Sequence, residues 1–102
     1  MKPPAKFSRI IDRKRYDVAT ATLLAGNDYW DGHNFERRGT NQFLYLTPRG
    51  NYFTVYLTQW LREKDSISPV TLGEAANLFD GPLSEHRVTY EDAFPGVEIE
   101  EA

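Results

Sequence analysis

The sequence predicts an α+β fold in which a small antiparallel sheet of about three to four strands is packed by two or three short helices. Two neighbouring segments alternate apolar and polar residues and are joined by a tight-turn sequence. Two capping boxes in the second half of the chain and a capped apolar run near its start predict the helices. With 102 residues, 40% of them hydrophobic, the chain can form one domain around a single core.

The strongest strand signal is a central hairpin over residues 42–58. Both of its segments are rich in aromatic and β-branched residues, which favour strands. Residues 48–51 connect them and place Pro and Gly where a tight turn requires them. Alternation puts three apolar side chains of the second segment on the expected core face: Phe53, Val55 and Leu57. The opposite face carries Tyr and Thr, and we expect it to be partly open to solvent.

A first helix is predicted at residues 18–25. Asp17 precedes this apolar run as an N-cap residue would, and Gly26 follows it at the position that favours a C-terminal glycine. Upstream, in residues 9–16, apolar and basic residues flank the polar residues 12–14. This pattern indicates a short strand that leads into a turn. A weaker strand is predicted at residues 34–38.

Two capping boxes predict the remaining helices. Thr71 and Glu74 can satisfy each other's free backbone N–H groups, so a helix is expected at residues 72–79. We expect the apolar residues of this helix, including Leu72, to be buried. Thr89 begins a second box and a short helical turn.

Charge is divided unevenly along the chain. Residues 1–64 contain 11 basic and 6 acidic side chains, a net charge of +5, whereas residues 65–102 contain 1 and 9, a net charge of −8. A field of this kind acts on binding partners and encounter rates and not on the fold. We expect a flexible tail at residues 1–8, one domain at residues 9–94 and an acidic tail at residues 95–102.

The composition also limits where the protein works. The sequence contains no cysteine, which excludes a disulfide scaffold and a thiolate metal site, so a reducing cytoplasm is the expected location. The basic start of the chain lacks the apolar run of a signal peptide, and no apolar stretch is long enough for a transmembrane helix. We therefore expect a soluble cytoplasmic protein with no membrane partner.

The chemistry-bearing residues form no recognisable catalytic or metal motif. His33 and His86 are the only histidines and lie far apart, whereas a zinc site needs several converging ligands. Asp28 and Asp31 lie near His33, but the spacing of this loop does not match a calcium-binding loop. The serines lack the strand–turn–helix setting of a nucleophile. We expect no cofactor, no metal and no enzymatic activity.

Three short motifs resemble those of a group of small proteins from phages, plasmids and other bacterial mobile elements. The matching segments are residues 15–21 (Arg-Tyr-Asp-Val-Ala-Thr-Ala), residues 44–53 (Leu-Tyr-Leu-Thr-Pro-Arg-Gly-Asn-Tyr-Phe) and residues 69–79. Val18 replaces the Thr that is usual in the first motif. The resemblance implies a mobile-element origin and, by analogy with anti-CRISPR proteins, a protein that binds and blocks a host defence complex.

Two functional hypotheses remain open. The leading one is a non-enzymatic, anti-CRISPR-like interaction protein that inhibits a host protein or ribonucleoprotein complex which targets nucleic acids. Arginine and aromatic residues are typical of interface hot spots, and the predicted binding residues are Arg37, Arg38, Tyr45, Arg49, Tyr52, Tyr56 and Trp60. The alternative is a small accessory or regulatory protein that binds DNA or RNA through the same surface and a basic N-terminal arm, formed by Arg9, Arg13, Lys14 and Arg15.

Overall fold

The structure, a computed structural model, describes residues 3–28, 39–60 and 62–98. Over these residues the chain forms seven strands and two short helices, in the order β1 (Ser8–Ile11), β2 (Lys14–Asp17), β3 (Thr22–Gly26), β4 (Thr40–Leu46), β5 (Tyr52–Thr58), β6 (Ser66–Val70), α1 (Leu72–Asp80), β7 (Glu85–His86) and α2 (Tyr90–Ala93). The predicted α+β fold of three to four strands packed by two or three helices is wrong, because the described chain is mostly sheet. The predicted strand at residues 34–38 lies outside the described residues.

The strands form two antiparallel sheets. One has five strands in the order β6-β5-β4-β3-β7, and the other is the β1–β2 hairpin. The predicted hairpin at residues 42–58 is present as β4 and β5, paired from Thr40 opposite Thr58 to Leu46 opposite Tyr52. Its turn is closed by the Thr47 N–H, which donates to the Asn51 carbonyl oxygen at 2.8 Å. Gly50 has a φ of 87° in this turn, a conformation that glycine adopts without strain.

The predicted helix at residues 18–25 is wrong, because β3 occupies most of this segment. Asp17 does act as a cap: its Oδ1 accepts from the Ala19 N–H at 2.9 Å, and its carbonyl oxygen accepts from the Ala21 N–H at 3.2 Å. The turn ends there, and the chain extends as β3 between β4 and β7. β3 pairs with β4 from Thr22 to Gly26, with a bulge at Leu24, and with β7 at Ala25 and Gly26. This pairing and the complete burial of Leu24 outweigh the local helix signal.

Gly26 does not end a helix, as the sequence predicted, but has a packing role in a strand. It is the last residue of β3, paired with Phe43 of β4. A Cβ atom at this position would lie 2.7 Å from Cδ1 of the Phe43 ring. The glycine is therefore required by the close approach of an aromatic ring and not by a left-handed backbone conformation.

The molecule has three layers, with the five-stranded sheet in the middle. On one face the helices pack over a core that includes Leu24, Leu44, Tyr52, Phe79 and Phe94. On the other face β2 and the turn after it cover a second core that includes Tyr16, Val18, Phe43, Phe53 and Val55. The helices that follow β6 bury the Tyr and Thr face of β5 at Tyr52 and Thr54, and this face is partly open at Tyr56 and Thr58, as the sequence predicted.

Both described helices begin at the predicted caps. The Thr71 side chain accepts from the Glu74 N–H at 3.1 Å, and the Glu74 carboxylate accepts from the Thr71 N–H at 3.0 Å. The Thr89 side chain accepts from the Asp92 N–H at 3.3 Å at the start of α2. Neither helix has the length and apolar character needed to cross a membrane.

Candidate binding site

A cleft of about 680 Å³ separates the β1–β2 hairpin from the turn between β4 and β5. We call it the basic cleft, because four of its lining residues are cations: Arg13, Lys14, Arg15 and Arg49. The first three come from the tip of the hairpin and from β2, and Arg49 comes from the β4–β5 turn. Two segments that are more than 30 residues apart in the sequence therefore contribute to one positively charged surface.

The hairpin is held in place by aromatic packing. Tyr16 of β2 meets the ring of Phe53 edge-on, with ring centroids 5.6 Å apart, and Phe53 stacks on Tyr45 at 5.2 Å. Val18, which follows β2, packs into the same core as these rings. These contacts fix β2 over the sheet and so place its basic residues beside the β4–β5 turn.

The tip of the hairpin is a two-residue turn. Asp12 and Arg13 have φ angles of 50° and 67°, so both occupy the left-handed region that a tight two-residue hairpin requires. Residues other than glycine adopt this region at a cost of about 1–2 kcal/mol each. The turn directs Arg13 into the lining of the cleft.

The cations of the basic cleft are exposed and unneutralised. Among the residues that the structure describes, none of the four takes part in an ion pair or a side-chain hydrogen bond. The described lining of the cleft contains one carboxylate, Asp17, whose Oδ1 already accepts from the Ala19 N–H. Unneutralised charge on a concave surface attracts anions, and an arginine fork can hold a carboxylate or a phosphate with two parallel hydrogen bonds.

Two of the predicted binding residues are core residues. Tyr45 is 3% exposed and Tyr52 is 8% exposed, so the expectation that a partner can reach them is wrong. Burial raises the pKa of Tyr45 to about 12, and burial also raises the pKa of Tyr52. The Tyr52 hydroxyl donates to the Ala93 carbonyl oxygen at 2.7 Å, which ties the sheet to α2.

The other predicted residues do not form one patch. Arg49 lies in the basic cleft, whereas Trp60 is 58% exposed beyond the opposite end of β5. The length of β5 separates these two positions by roughly 20 Å. Tyr56 is half-buried within β5, and Arg37 and Arg38 lie outside the described residues. Of the five predicted residues that the structure describes, only Arg49 lines the cleft.

Sequence reasoning missed the partnership of Arg49 with the cations of the hairpin. The basic residues near the start of the chain were interpreted as a separate arm, because nothing in the local sequence shows where that arm packs. The alternation of Tyr16 with its basic neighbours could have indicated a strand whose ring faces a core. Even so, its position next to the β4–β5 turn depends on contacts with Phe53, which lies 37 residues away.

Other polar groups in the described residues have structural roles. The Arg87 guanidinium binds the Asp28 carboxylate with contacts of 2.6 and 3.0 Å. His86 stacks on Phe79 with ring centroids 3.7 Å apart, and its Nε2 lies 2.6 Å from the Phe79 carbonyl oxygen. In the part of the chain that the structure describes, no three His, Asp or Glu side chains converge as metal ligands would.

The fold and the cleft define a three-layer antiparallel β-protein with an open cationic cleft beside one hairpin turn. No protein-family model matches the chain, and neither a curated protein nor a solved structure matches it. The resemblance to mobile-element proteins therefore remains a prediction from the sequence.

Proposed function

We propose that this protein is a non-enzymatic binding protein whose basic cleft holds an anionic segment of a partner. The observation that carries the proposal is the convergence of four exposed cations, none of them ion-paired within the described residues, from two separate segments of the chain. Like charges placed side by side repel one another, so a neutralising partner gains affinity by relieving this repulsion. The packing of Tyr16 against Phe53 and the closed β4–β5 turn place the backbones of Arg13 and Arg49 on either side of the cleft before the partner arrives.

The lining of the cleft supports binding and not catalysis. Its side chains are cations, hydroxyl groups, an amide, a proline and Asp17, and Asp17 is occupied as a backbone cap. The described lining has no His, Cys or Ser. Its threonine hydroxyls bond to backbone groups, Thr20 to the Asp17 carbonyl oxygen and Thr47 to the Asn51 N–H, and not to a general base that could activate them.

An acidic protein surface fits the cleft better than a nucleic acid does. Proteins that bind single strands stack bases on exposed rings, but Tyr16, the ring that lines the cleft, is buried, as are Tyr45 and Tyr52. The proposed partner is therefore a host protein or ribonucleoprotein complex in the cytoplasm. Its assignment as a nucleic-acid-targeting defence complex, with this protein as an anti-CRISPR-like inhibitor, is supported by the resemblance to mobile-element proteins.

The test compares two double variants that change the net charge by the same amount. R13E/R49E reverses charge inside the cleft, whereas R62E/K64E reverses it in the β5–β6 loop at the other end of the sheet. Each protein is used to capture partners from a bacterial lysate treated with nuclease. We expect the wild type and R62E/K64E to retain the same protein, and R13E/R49E to lose it. Equal retention by both variants, or no retention by the wild type, would count against the proposal.

A second measurement separates protein from nucleic acid. Mixed-sequence DNA and RNA are titrated with the wild-type protein and with both double variants at increasing salt concentration. We expect weak binding with no discrimination between the two double variants. Tight binding to either polymer that weakens steeply with salt and is lost in R13E/R49E would instead support the nucleic-acid-binding alternative, because displacement of counterions from phosphates gives that dependence.

A further inference from the structure

A second groove lies on the helix side of the β4–β5 turn. It has a volume of about 380 Å³, and none of its lining residues that the structure describes is charged. Apolar side chains from the strand ends, α1 and the segment after α2 dominate the lining: Leu46, Val70, Leu72, Pro95 and Val97. We call it the apolar groove.

Leu72 is exposed in this groove although its position on α1 predicts burial. It lies three and seven residues before Ala75 and Phe79, the buried residues of the helix, and therefore on the same face. Leu72 is nevertheless 47% exposed. The reason is that β6 ends at Val70, where it pairs with the first residue of β5, Tyr52, so that the five-stranded sheet provides no further surface to cover this first turn of the helix.

The basic cleft and the apolar groove meet at the β4–β5 turn. Asn51 lines both of them. They open on opposite sides of the sheet, because Leu46 and Tyr52 pack with the helix-side core whereas Tyr45 and Phe53 pack with the hairpin-side core. Gly50 forms the tip between them, and a Cβ at this position would meet no atom within 4 Å. A chain that crosses the tip therefore meets cations on one side and exposed apolar side chains on the other.

We propose that this surface binds one extended, acidic segment of a partner protein that carries an apolar anchor beside its acids. The carboxylates pair with Arg13, Arg15 and Arg49, and the apolar side chain crosses the tip and packs against Leu72 and Val97. This inference rests on the proposed function and names the chemistry of the partner. A phosphate backbone gains nothing in the uncharged groove, whereas an aliphatic or aromatic anchor is buried there.

The test uses a library of random dodecapeptides displayed on phage and selected against the immobilised full-length protein. We expect the enriched peptides to combine Asp or Glu with a large apolar residue. A representative synthetic peptide is then titrated by fluorescence anisotropy with the wild type, R13E/R49E, Leu72→Ser and Ile10→Ser. Ile10 is the matched apolar control, because it is 66% exposed on the hairpin and does not line either site.

We expect R13E/R49E and Leu72→Ser each to weaken binding by about tenfold or more, and Ile10→Ser to leave it unchanged. The Leu72 side chain is already exposed, so its replacement has little effect on folding. Enrichment of purely acidic peptides that bind Leu72→Ser as well as the wild type would overturn this inference and leave the proposed function standing. Failure to enrich any peptide, or self-association of the protein through this surface in sedimentation experiments, would also overturn the inference.

Discussion

At the scale of single residues, the environment of Tyr45 keeps its hydroxyl protonated. The side chain is buried against Phe53, and burial raises its pKa to about 12, with a smaller opposing effect of Arg87 and a small reinforcing effect of Asp28. A buried phenolate would lose most of its hydration, and the attraction of Arg87 offsets only part of that loss. Tyr45 is therefore both buried and uncharged, as a core residue is expected to be.

This shift predicts a loss of stability at alkaline pH. A tyrosine in the unfolded chain has a pKa near 10, so the unfolded state releases its proton first as the pH rises above 10, while folded Tyr45 keeps its proton until about pH 12. The contribution of Tyr45 to the free energy of unfolding is complete below pH 10 and is lost as the pH rises towards 12. The loss is at most about 3 kcal/mol. Urea unfolding between pH 8 and 11.5 should show a shallower decline for Tyr45→Phe than for the wild type. Parallel curves would contradict the prediction.

At the scale of elements, each described helix depends on a threonine at its start. Helix α1 has only nine residues, a length that is marginal in isolation. The reciprocal bonds between Thr71 and Glu74 satisfy two backbone donors that would otherwise lack intrahelical partners. The cap therefore contributes to holding α1, with Ala75 and Phe79, over the sheet.

Replacing this cap gives a direct test of that contribution. We expect Thr71→Ala to lower the free energy of unfolding by about 1 kcal/mol, because the Glu74 N–H loses its acceptor. Thr71→Ser keeps the hydroxyl and should remain close to the wild type. Guanidinium unfolding monitored by circular dichroism measures both. Equal stability of the alanine and wild-type proteins would show that the side-chain bond contributes little.

The elements also show how far local sequence predicts this fold. The β4–β5 hairpin and the starts of α1 and α2 were predictable, because their signals lie within a few consecutive residues: alternation, a Pro-Gly turn and capping threonines. Asp17 gave an equally good capping signal, but the segment after it became β3. It pairs with β4 and, at its last two residues, with β7, and no local pattern indicates that such partners are available.

At the scale of the whole molecule, the β1–β2 hairpin is a separate layer held by its side chains. In the described residues the hairpin is not paired with any strand of the five-stranded sheet. Its attachment comes from packing of Tyr16 and Val18, together with Phe7 and Ile11, into the hairpin-side core. One wall of the basic cleft therefore depends on a few buried side chains.

This arrangement predicts that the hairpin can be loosened without changing a charge. Tyr16→Ala removes the ring that contacts Phe53 and should lower the free energy of unfolding by about 3 kcal/mol. In Tyr16→Ala the amide hydrogens of β1 and β2 should exchange faster than in the wild type, and this increase should be larger than the increase for β4 and β5. Tyr16→Phe, which keeps the ring, is the control. Unchanged protection of β1 and β2 in Tyr16→Ala would indicate that other contacts fix the hairpin.

The charge separation along the chain becomes a local feature only in the folded molecule. The excess of basic residues before residue 65 is a property of the sequence, but folding gathers three cations of the hairpin and Arg49 around one cleft. The apolar groove is assembled in the same way, from strand ends, a helix start and Val97.

The sequence by itself determined the hairpin, its turn and the helix caps, because each depends on backbone preferences and hydrogen bonds between residues close in the chain. The tertiary structure alone decided that Tyr45 and Tyr52 are buried, that Asp17 begins a turn and not a helix, and that Arg13 and Arg49 share a cleft. These outcomes depend on which distant surfaces cover one another. The free energy of that burial and pairing is shared among residues far apart in the sequence, so no single segment records it.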